Sequence, residues 1–305
     1  MPKPAITSDI PMKITLASHY GMCFGVRDAV KITQELASQA HASGDAITIL
    51  GDLVHNPVVE QNLSSLGTIK GNLNDTQSAS TQKVVITAHG AANKNRRAWQ
   101  HAGYHLTDTT CPLVNKAHNA LARLVAAGFH PVIIGKAGHV EVQGLAGDFP
   151  QASIILTKTD IQTLPFHKKI GVVSQTTQPI DLVKSLIRHI ETHHPTAETR
   201  FIDTVCQPTK DRQSALEKLA REHHLIIVVG GHHSNNTTQL VQKARALGAT
   251  AHHVATPEEL DPAWFLHARS VGITAGTSTL EATVQKVLTR IREIAALQTI
   301  EPKSR

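Results

Sequence analysis

The sequence predicts an α/β protein made of three related repeats that alternate strand and helix. The first observation is that Cys23, Cys111 and Cys206 divide the 305-residue chain into near-equal thirds, at intervals of 88 and 95 residues (111 − 23 and 206 − 111). The second is that each cysteine stands between a strand-like segment and a segment with helical periodicity. The third is that short polar loops recur at similar distances after each cysteine.

Each repeat is predicted to contain the same elements in the same order. The strand-like segments KITLAS, YHLTDTT and ETRFIDTV come before the three cysteines. The helical segments that follow carry apolar residues on one face, for example Leu113, Ala117, Ala120 and Leu124. Later in each repeat, AITILG, PVIIG and LIIVVGG are predicted buried strands, and VVITAHG, IGVVSQTT and VGITAGTS are strands that end in small polar residues.

These elements predict three pseudo-threefold-related α/β domains with small parallel-type sheets around a central site. The first repeat is expected over residues 13–110, the second over 111–205 and the third over 206–297, the last with a C-terminal helix. Residues 1–12 and 298–305 are predicted to be flexible ends. Open α/β sheets bind ligands beyond the carboxyl ends of their strands, so the three thiols and six polar loops are expected to converge there.

The composition argues against several classes of protein. Hydrophobic residues make up 41% of the chain and charged residues 18%, which is typical of a folded globular protein. A mean hydropathy of −0.13 and interrupted apolar runs predict no membrane span. The sequence shows no secretory signal pattern, so a cytoplasmic location is expected. A net charge of +6 with only 6 Phe, 2 Tyr and 2 Trp does not favour a nucleic-acid partner.

The three cysteines suit a shared metal centre. An odd number of cysteines without CxxC pairs argues against a disulfide framework and against a structural zinc finger. Three thiolates are compatible with a zinc ion that keeps an open position. They are equally compatible with an iron–sulfur cluster, and because four cysteines usually hold a four-iron cubane, three would leave one iron open to substrate. Three unrelated buried thiols are the remaining alternative.

The polar loops carry side chains that suit a phosphate group. Imidazoles, hydroxyls and amides at helix starts bind phosphate oxygens together with backbone N–H groups. The loop residues of these types are His55, Asn56, His89, His139, Ser174, Gln175, Thr176, Thr177, Ser234, Asn235, Asn236, Thr277 and Ser278. Glu141, two residues after His139, is a candidate proton relay through a hydroxyl such as that of Thr176, with an exposed loop glutamate as the alternative.

Eight short motifs resemble the LytB/IspH family of 4-hydroxy-3-methylbut-2-enyl diphosphate reductases. They are GMCFGV, VHNPVV, TAHG, CPLVNKAH, GHVEVQG, SQTT, VVGGHHSNN and TAGTS, in the order of the family, over roughly residues 13–290. The resemblance implies three α/β domains around one [4Fe–4S] cluster. It also implies reductive dehydroxylation of the allylic diphosphate to isopentenyl and dimethylallyl diphosphate, the last step of the non-mevalonate isoprenoid pathway.

The resemblance also implies a role for each matching residue. Cys23, Cys111 and Cys206 would hold the cluster. Glu141 would deliver protons, and Thr176 would orient the substrate hydroxyl on the iron that has no cysteine ligand. The implied diphosphate ligands are His55, His89, His139, Ser234, Asn235, Asn236 and Ser278. A flavodoxin or ferredoxin-type donor with an NADPH-dependent reductase is the implied electron source, because the chain lacks a dinucleotide-binding motif.

Several positions depart from the family pattern. Phe24 follows the first cysteine where alanine is usual, Gln207 follows the third, Asn235 replaces a serine, and Leu280 replaces a proline. These differences leave two alternatives to the family reaction. One is a divergent paralogue that reduces another phosphorylated alcohol, and the other is a non-catalytic, redox-sensing cluster or zinc protein.

Overall fold

The computed structural model of the chain describes residues 12–300, with side chains up to residue 297. It divides into two compact units: a larger unit of residues 23–210, and a smaller unit whose described residues are 12–22 and 211–300. The predicted flexible ends fall mainly on residues 1–11 and 301–305, which lie outside the described residues. Elements are numbered below in chain order.

The larger unit contains two four-stranded parallel sheets. The elements of its first half are α1 (Phe24–Ala42), β2 (Thr48–Ile49), α2 (Pro57–Ser65), β3 (Ile69–Lys70), β4 (Lys83–Ile86), α3 (Asn93–His101) and β5 (His105–Asp108). The elements of its second half are α4 (Pro112–Ala126), β6 (His130–Ile134), α5 (Val140–Gly147), β7 (Ser153–Ile155), α6 (Lys158–Gln162), β8 (Lys169–Ser174), α7 (Ile180–His193) and β9 (Glu198–Phe201). The strand orders are β3-β2-β4-β5 and β7-β6-β8-β9.

The smaller unit contains the third parallel sheet, in the order β11-β10-β12-β1. Its elements are β1 (Lys13–Leu16), β10 (Leu225–Val229), α9 (Asn235–Ala246), β11 (Thr250–Val254), two short 3₁₀ helices (Pro257–Glu259 and Pro262–Phe265), β12 (Ser270–Ala275) and α10 (Glu281–Ile300). Helix α8 (Gln207–Glu222) begins in the larger unit and continues into the smaller one. Helix α10 extends through residues 298–300, where the sequence predicts a flexible end.

The three sheets repeat one strand order, which confirms the predicted fold class. Strand β1 is the exception to the predicted grouping. The sequence places it in the repeat of residues 13–110, but it pairs with β12. Ile14 lies opposite Val271, and Leu16 lies opposite Ile273. The reason is that the fourth strand of each sheet is the one that precedes the next cysteine. The strand before Cys23 has no earlier sheet to join, so it completes the last one.

The cores lie on both faces of the sheets. In β6 and β8, alternate residues point to opposite faces. Val132 and Ile134 are buried in a cluster with side chains of α7, whereas Ile133 and Val173 are buried in a cluster with side chains of α4 and α5. Strands covered on both faces carry continuous apolar runs, so the polar residues collect at the strand ends. Among residues 12–300, no helix combines the length and apolar content needed to cross a membrane.

Candidate active site

The three cysteines stand at the starts of three helices. Cys23 is the N-cap residue of α1, Cys111 is the N-cap residue of α4, and Cys206 directly precedes α8. All three are free, half-buried thiols, and all belong to the larger unit. The amino end of a helix carries partial positive charge and N–H groups without intrahelical partners, so each thiol lies where a thiolate is stabilised.

Contacts of the first turn of α1 show how closely two of these helix starts approach. A Cβ atom placed on Gly25 would overlap the Sγ of Cys111 and lie 3.1 Å from its Cβ. Any side chain at residue 25 would displace the Cys111 thiol, so the observed position of that thiol requires glycine there. The third cysteine is held differently: its backbone N–H donates to the carbonyl oxygen of Thr176 at 2.9 Å, and its Sγ lies 3.1 Å from Thr209 Oγ1.

Burial opposes charge on two of these thiols. It raises the pKa of Cys111, and it raises the pKa of Cys206 to about 11. The negative charges of Cys23 and Glu141 raise both pKa values further, which places these four groups within electrostatic reach of one another. Thiols of this kind keep their protons until a metal takes their charge, so metal loading is coupled to proton release.

The donor set of the three cysteines suits a metal group with thiolate ligands, either a zinc ion or an iron–sulfur cluster. Within the described part of the chain, a separate group of side chains has ligand atoms that all lie within 4.8 Å of one another, and it consists of His55, His89 and His139.

His55, His89 and His139 form the second feature of the site. They follow strands β2, β4 and β6, at the carboxyl ends of both sheets of the larger unit. The ring centroids of His55 and His89 lie 4.3 Å apart, and those of His139 lie 5.4 and 5.5 Å from them. The histidines of these three loops therefore lie against one another.

The hydrogen bonds and burial of these rings fix their protonation. His139 is the N-cap residue of α5, and its Nδ1 accepts a hydrogen bond from the backbone N–H of Glu141 at 3.1 Å. The neutral ring therefore carries its proton on Nε2. Burial, His55 and Lys136 lower the pKa of His139 to about 4, and burial with the two neighbouring rings lowers the pKa of His89 well below 6.5. Both rings are therefore neutral at pH 7.

Glu141 is a buried carboxyl with two fixed partners. Its side chain is 2% exposed and lies in the first turn of α5. Thr176 donates to it twice, from its backbone N–H to Oε1 at 2.7 Å and from its hydroxyl to Oε2 at 3.0 Å. Burial raises the pKa of Glu141 to about 7, although both hydrogen bonds favour the carboxylate and lower it. The carboxyl can therefore hold or release a proton near neutral pH, and Thr176 links it to the backbone of Cys206.

The predicted polar residues of the smaller unit occupy two loops. Ser234 is the N-cap residue of α9 and accepts from the N–H of Thr237 at 3.3 Å. Asn236 is 3% exposed; its Oδ1 accepts from the N–H of Thr277 at 3.0 Å, and its Nδ2 is buried without a partner among the described residues. A buried donor without a partner is rare and costly, which makes this amide a candidate ligand-binding group. Ser278 is buried, and Asn235 is half-buried in the first turn of α9.

Some residues have roles that the sequence did not indicate. Asn56 is a structural cap, since its Oδ1 accepts from Val58 and Val59 at the start of α2. Asp52 was missed: its carboxylate lies 4.0 Å from His55 Nδ1 and also binds Lys70. Its place three residues before His55 in a polar loop is the only signal that could have identified it. The close approach of Gly25 has no signal in a single sequence.

The protonation of Glu141 predicts how stability depends on pH. A shift of the pKa from 4.5 to about 7 corresponds to about 3 kcal/mol. Because the pKa is raised in the folded state, this stabilisation is complete below pH 4.5 and is lost as the pH rises through about 7. In Glu141→Gln, the amide oxygen can accept from the Thr176 N–H and the amide N–H₂ can donate to its hydroxyl. The fall in the free energy of unfolding of the metal-free protein between pH 5 and pH 8.5 should therefore shrink by about 3 kcal/mol, measured by urea unfolding.

Glu35→Gln is the matched control, because Glu35 is an exposed carboxyl in the same unit. It should change the same difference by less than about 0.5 kcal/mol. An identical pH dependence in Glu141→Gln and the parent protein would contradict the buried, proton-holding state of Glu141.

Comparisons with known proteins agree with this arrangement. The family model described as LytB protein matches residues 14–292. A 4-hydroxy-3-methylbut-2-enyl diphosphate reductase of Aquifex aeolicus is 34% identical over 291 residues, covering 94% of this chain and 98% of that protein. The enzyme of the same name from Citrifermentans bemidjiense is 35% identical over 285 residues, covering 93% of this chain and 98% of that protein.

Two solved structures match the whole fold. The structure of the E-1-hydroxy-2-methyl-but-2-enyl-4-diphosphate reductase from Plasmodium falciparum has a TM-score of 0.85 at 27% identity, covering 92% of this chain and 87% of that one. A structure of (E)-4-hydroxy-3-methyl-but-2-enyl diphosphate reductase has a TM-score of 0.65 at 33% identity, covering 92% and 99%. The chain therefore belongs to the LytB/IspH family of reductases, as its motifs indicated.

Proposed function

We propose that the chain reduces 4-hydroxy-3-methylbut-2-enyl diphosphate to isopentenyl and dimethylallyl diphosphate, the last step of the non-mevalonate isoprenoid pathway. The names of its relatives support this substrate. The observation that carries the proposal is the buried carboxyl of Glu141, which holds a proton near neutral pH in the unit that also contains the three thiols and the three histidines. The balanced reaction is ROH + 2 H⁺ + 2 e⁻ → RH + H₂O, where R is the allylic diphosphate.

Cys23, Cys111 and Cys206 are the residues proposed to hold the family's iron–sulfur group, as one [4Fe–4S] cluster per chain. When bound, such a group supplies electrons one at a time and, having only three cysteine ligands, offers one iron as a Lewis acid. The helix starts at these cysteines favour the negative charge of the thiolates that metal loading requires.

The diphosphate is proposed to bind to His55, His89 and His139 together with Ser234, Asn235, Asn236 and Ser278. The three imidazoles offer N–H donors within a few ångströms of one another, and they gain positive charge by taking up protons from solvent. The buried Nδ2 of Asn236 supplies a further donor. Binding energy at the diphosphate end would orient the distant hydroxyl group for reaction.

Glu141 and Thr176 are proposed to handle the proton that converts the departing hydroxyl to water. Thr176 Oγ1 and Glu141 Oε2 lie 3.0 Å apart. In the acid form of Glu141, the carboxyl O–H can donate to the Thr176 hydroxyl oxygen while the hydroxyl proton passes to the departing group. Burial keeps Glu141 dry and keeps its pKa near 7, which suits a group that both accepts and donates protons at neutral pH. The electrons are proposed to come from a flavodoxin or ferredoxin-type protein that is reduced by an NADPH-dependent enzyme.

The function is tested by anaerobic turnover of the cluster-loaded protein with 4-hydroxy-3-methylbut-2-enyl diphosphate and reduced methyl viologen. The parent protein should form both five-carbon diphosphates. Glu141→Gln should lower kcat at least about 100-fold, because a proton donor contributes about 10²–10⁴-fold, while inorganic diphosphate still binds. Because the acid form is needed, kcat should fall as the pH rises above about 7. Gln143→Ala, an exposed position on the same helix, should retain parent activity.

Product formation that persists in Glu141→Gln would refute the proton-delivery role. A cluster-loaded parent protein that forms no product would contradict the proposed substrate and favour reduction of another phosphorylated alcohol.

Anion binding by the histidines predicts proton uptake. Calorimetry of inorganic diphosphate binding at pH 7.5, in buffers of different ionisation enthalpy, should show that the parent protein takes up more protons than His139→Asn. The reason is that the bound anion raises the pKa of His139 from about 4. For the same reason, diphosphate affinity should fall as the pH rises. His105→Asn, an exposed histidine in the same unit, should behave like the parent. Equal proton uptake in the parent and His139→Asn would exclude His139 from the anion site.

A further inference from the structure

Arg96 joins three segments of the chain beside the candidate site. It is the fourth residue of α3, and its side chain is 16% exposed. Its Nε donates to Asp108 Oδ2 at 2.7 Å, and its Nη2 donates to Thr110 Oγ1 at 3.0 Å. Its Nη1 donates to the backbone carbonyl oxygen of Ala91. One guanidinium therefore holds the loop after β4 and the end of β5 against α3.

Both of these segments lead directly to residues of the candidate site. Ala91 lies two residues after His89, and Thr110 directly precedes Cys111. The segments also contact each other, since the backbone N–H of Cys111 donates to the carbonyl oxygen of the residue before His89 at 3.1 Å. A Cβ atom on Gly90 would lie only 2.9 Å from Thr110 Cγ2. Because the two segments are packed together, a shift of one is passed on to the other.

Asp108 completes a closed network of charged hydrogen bonds. Its Oδ1 accepts from the backbone N–H of Thr110 at 2.9 Å and also from the Thr110 hydroxyl. Burial opposes the charge of this carboxylate, but the hydrogen bonds from Thr110 and Arg96 outweigh burial and lower the pKa of Asp108 below its ordinary value. Hydrogen bonds between ionised groups are short and strong. We name Ala91, Arg96, Asp108 and Thr110 the Arg96 network.

The start of α3 is fixed by α5. Asp148, the C-cap residue of α5, accepts from the backbone N–H groups of Asn93 and Lys94 at 2.8 and 3.2 Å. Helix α5 is the helix that begins at His139. The Arg96 network is therefore built on a helix start that is anchored to the element carrying another of the three site histidines.

The geometry of this position requires a guanidinium. Arginine presents its N–H donors in several directions of one plane, so Arg96 can bind a carboxylate, a hydroxyl and a carbonyl oxygen together. Lysine keeps the positive charge, but a compact ammonium on a flexible stem cannot reproduce the planar fork. The replacement Arg96→Lys therefore separates the geometry of the side chain from its charge.

We propose that Arg96 is a positioning residue that holds the His89 loop and the Cys111 helix start in fixed relation, so that a diphosphate bound at the histidines places the reacting hydroxyl beside the metal group. This inference rests on the proposed function for the roles of His89 and Cys111. A misplacement of about 1 Å can cost about 10²-fold in rate. Arg96 thus influences turnover through the two residues that it positions.

The first test uses the metal-free protein and does not depend on turnover. In Arg96→Lys, the affinity for inorganic diphosphate, measured by calorimetry, should fall about tenfold, because His89 loses its fixed position. Alkylation of Cys111 by iodoacetamide, followed by peptide mass mapping, should become at least about fivefold faster, because the thiol is no longer held in its half-buried position. Both are measured where urea unfolding shows the variant to be folded.

A second variant tests the same network with a smaller change. Thr110→Val removes the shared hydroxyl but keeps the shape of the side chain, so both quantities should change in the same directions by about threefold. Thr110→Ser retains the hydroxyl and should match the parent. Arg97→Lys, at the exposed neighbouring position on α3, is the matched control for Arg96→Lys and should also match the parent.

Turnover provides the second test. In cluster-loaded protein of equal iron content, Arg96→Lys should lower viologen-driven kcat by about 10²-fold, whereas Arg97→Lys should stay within about twofold of the parent. A parent protein that forms no product would contradict the proposed function alone, because the measurements on the metal-free protein test Arg96 independently.

Three results would overturn the proposal. The first is an Arg96→Lys protein that has a lower free energy of unfolding but parental diphosphate affinity and parental alkylation of Cys111, which would make Arg96 a structural residue only. The second is a change at His89 or at Cys111 alone, since a shared positioning residue must affect both. The third is an equal effect of Arg96→Lys and Arg97→Lys.

Discussion

Several negatively charged groups can be held close together in a half-buried site only if something compensates their charge. Cys23, Cys111 and Cys206 face this constraint, since burial and the neighbouring charges raise the pKa values of Cys111 and Cys206. The fold answers it by beginning a helix at each cysteine, so that three positive helix ends meet the sulfurs. A bound metal group, as proposed, would supply the remaining compensation. The repeated topology places each cysteine between the fourth strand of a sheet and the start of a helix.

The same balance of burial and hydrogen bonding sets the chemistry around the thiols. His139 is the N-cap residue of α5, and Glu141 lies in its first turn. Burial disfavours the charged form of both side chains. The carboxyl therefore keeps its proton up to about pH 7, and the imidazole stays unprotonated down to about pH 4. At neutral pH, the site therefore contains a carboxyl that can donate a proton and imidazoles that can accept one. That division suits a reaction which adds protons at one end of a substrate and binds an anion at the other.

Much of this arrangement could be predicted from the sequence because it repeats. The spacing of the cysteines and loops indicated three copies of one α/β repeat, and the loop histidines of three strands do meet. Strand β1 was grouped with the wrong neighbours because periodicity identifies a strand but not its partner, and Ile14 pairs with Val271 across nearly the whole chain. Gly25 and Asp52 were missed because their importance lies in tertiary contacts, of Gly25 with the Cys111 side chain and of the Asp52 carboxylate with the His55 ring at 4.0 Å.

The central claim is that three cysteines at three helix starts hold a four-iron group in which one iron has no cysteine ligand. Mössbauer spectroscopy of the anaerobically ⁵⁷Fe-loaded protein tests it most directly, because the spectrum counts iron sites and separates their environments. The account predicts four irons per chain, of which one is distinct from the other three and responds when substrate is added. A two-iron spectrum, four equivalent irons, or a protein that retains zinc in place of iron would contradict it.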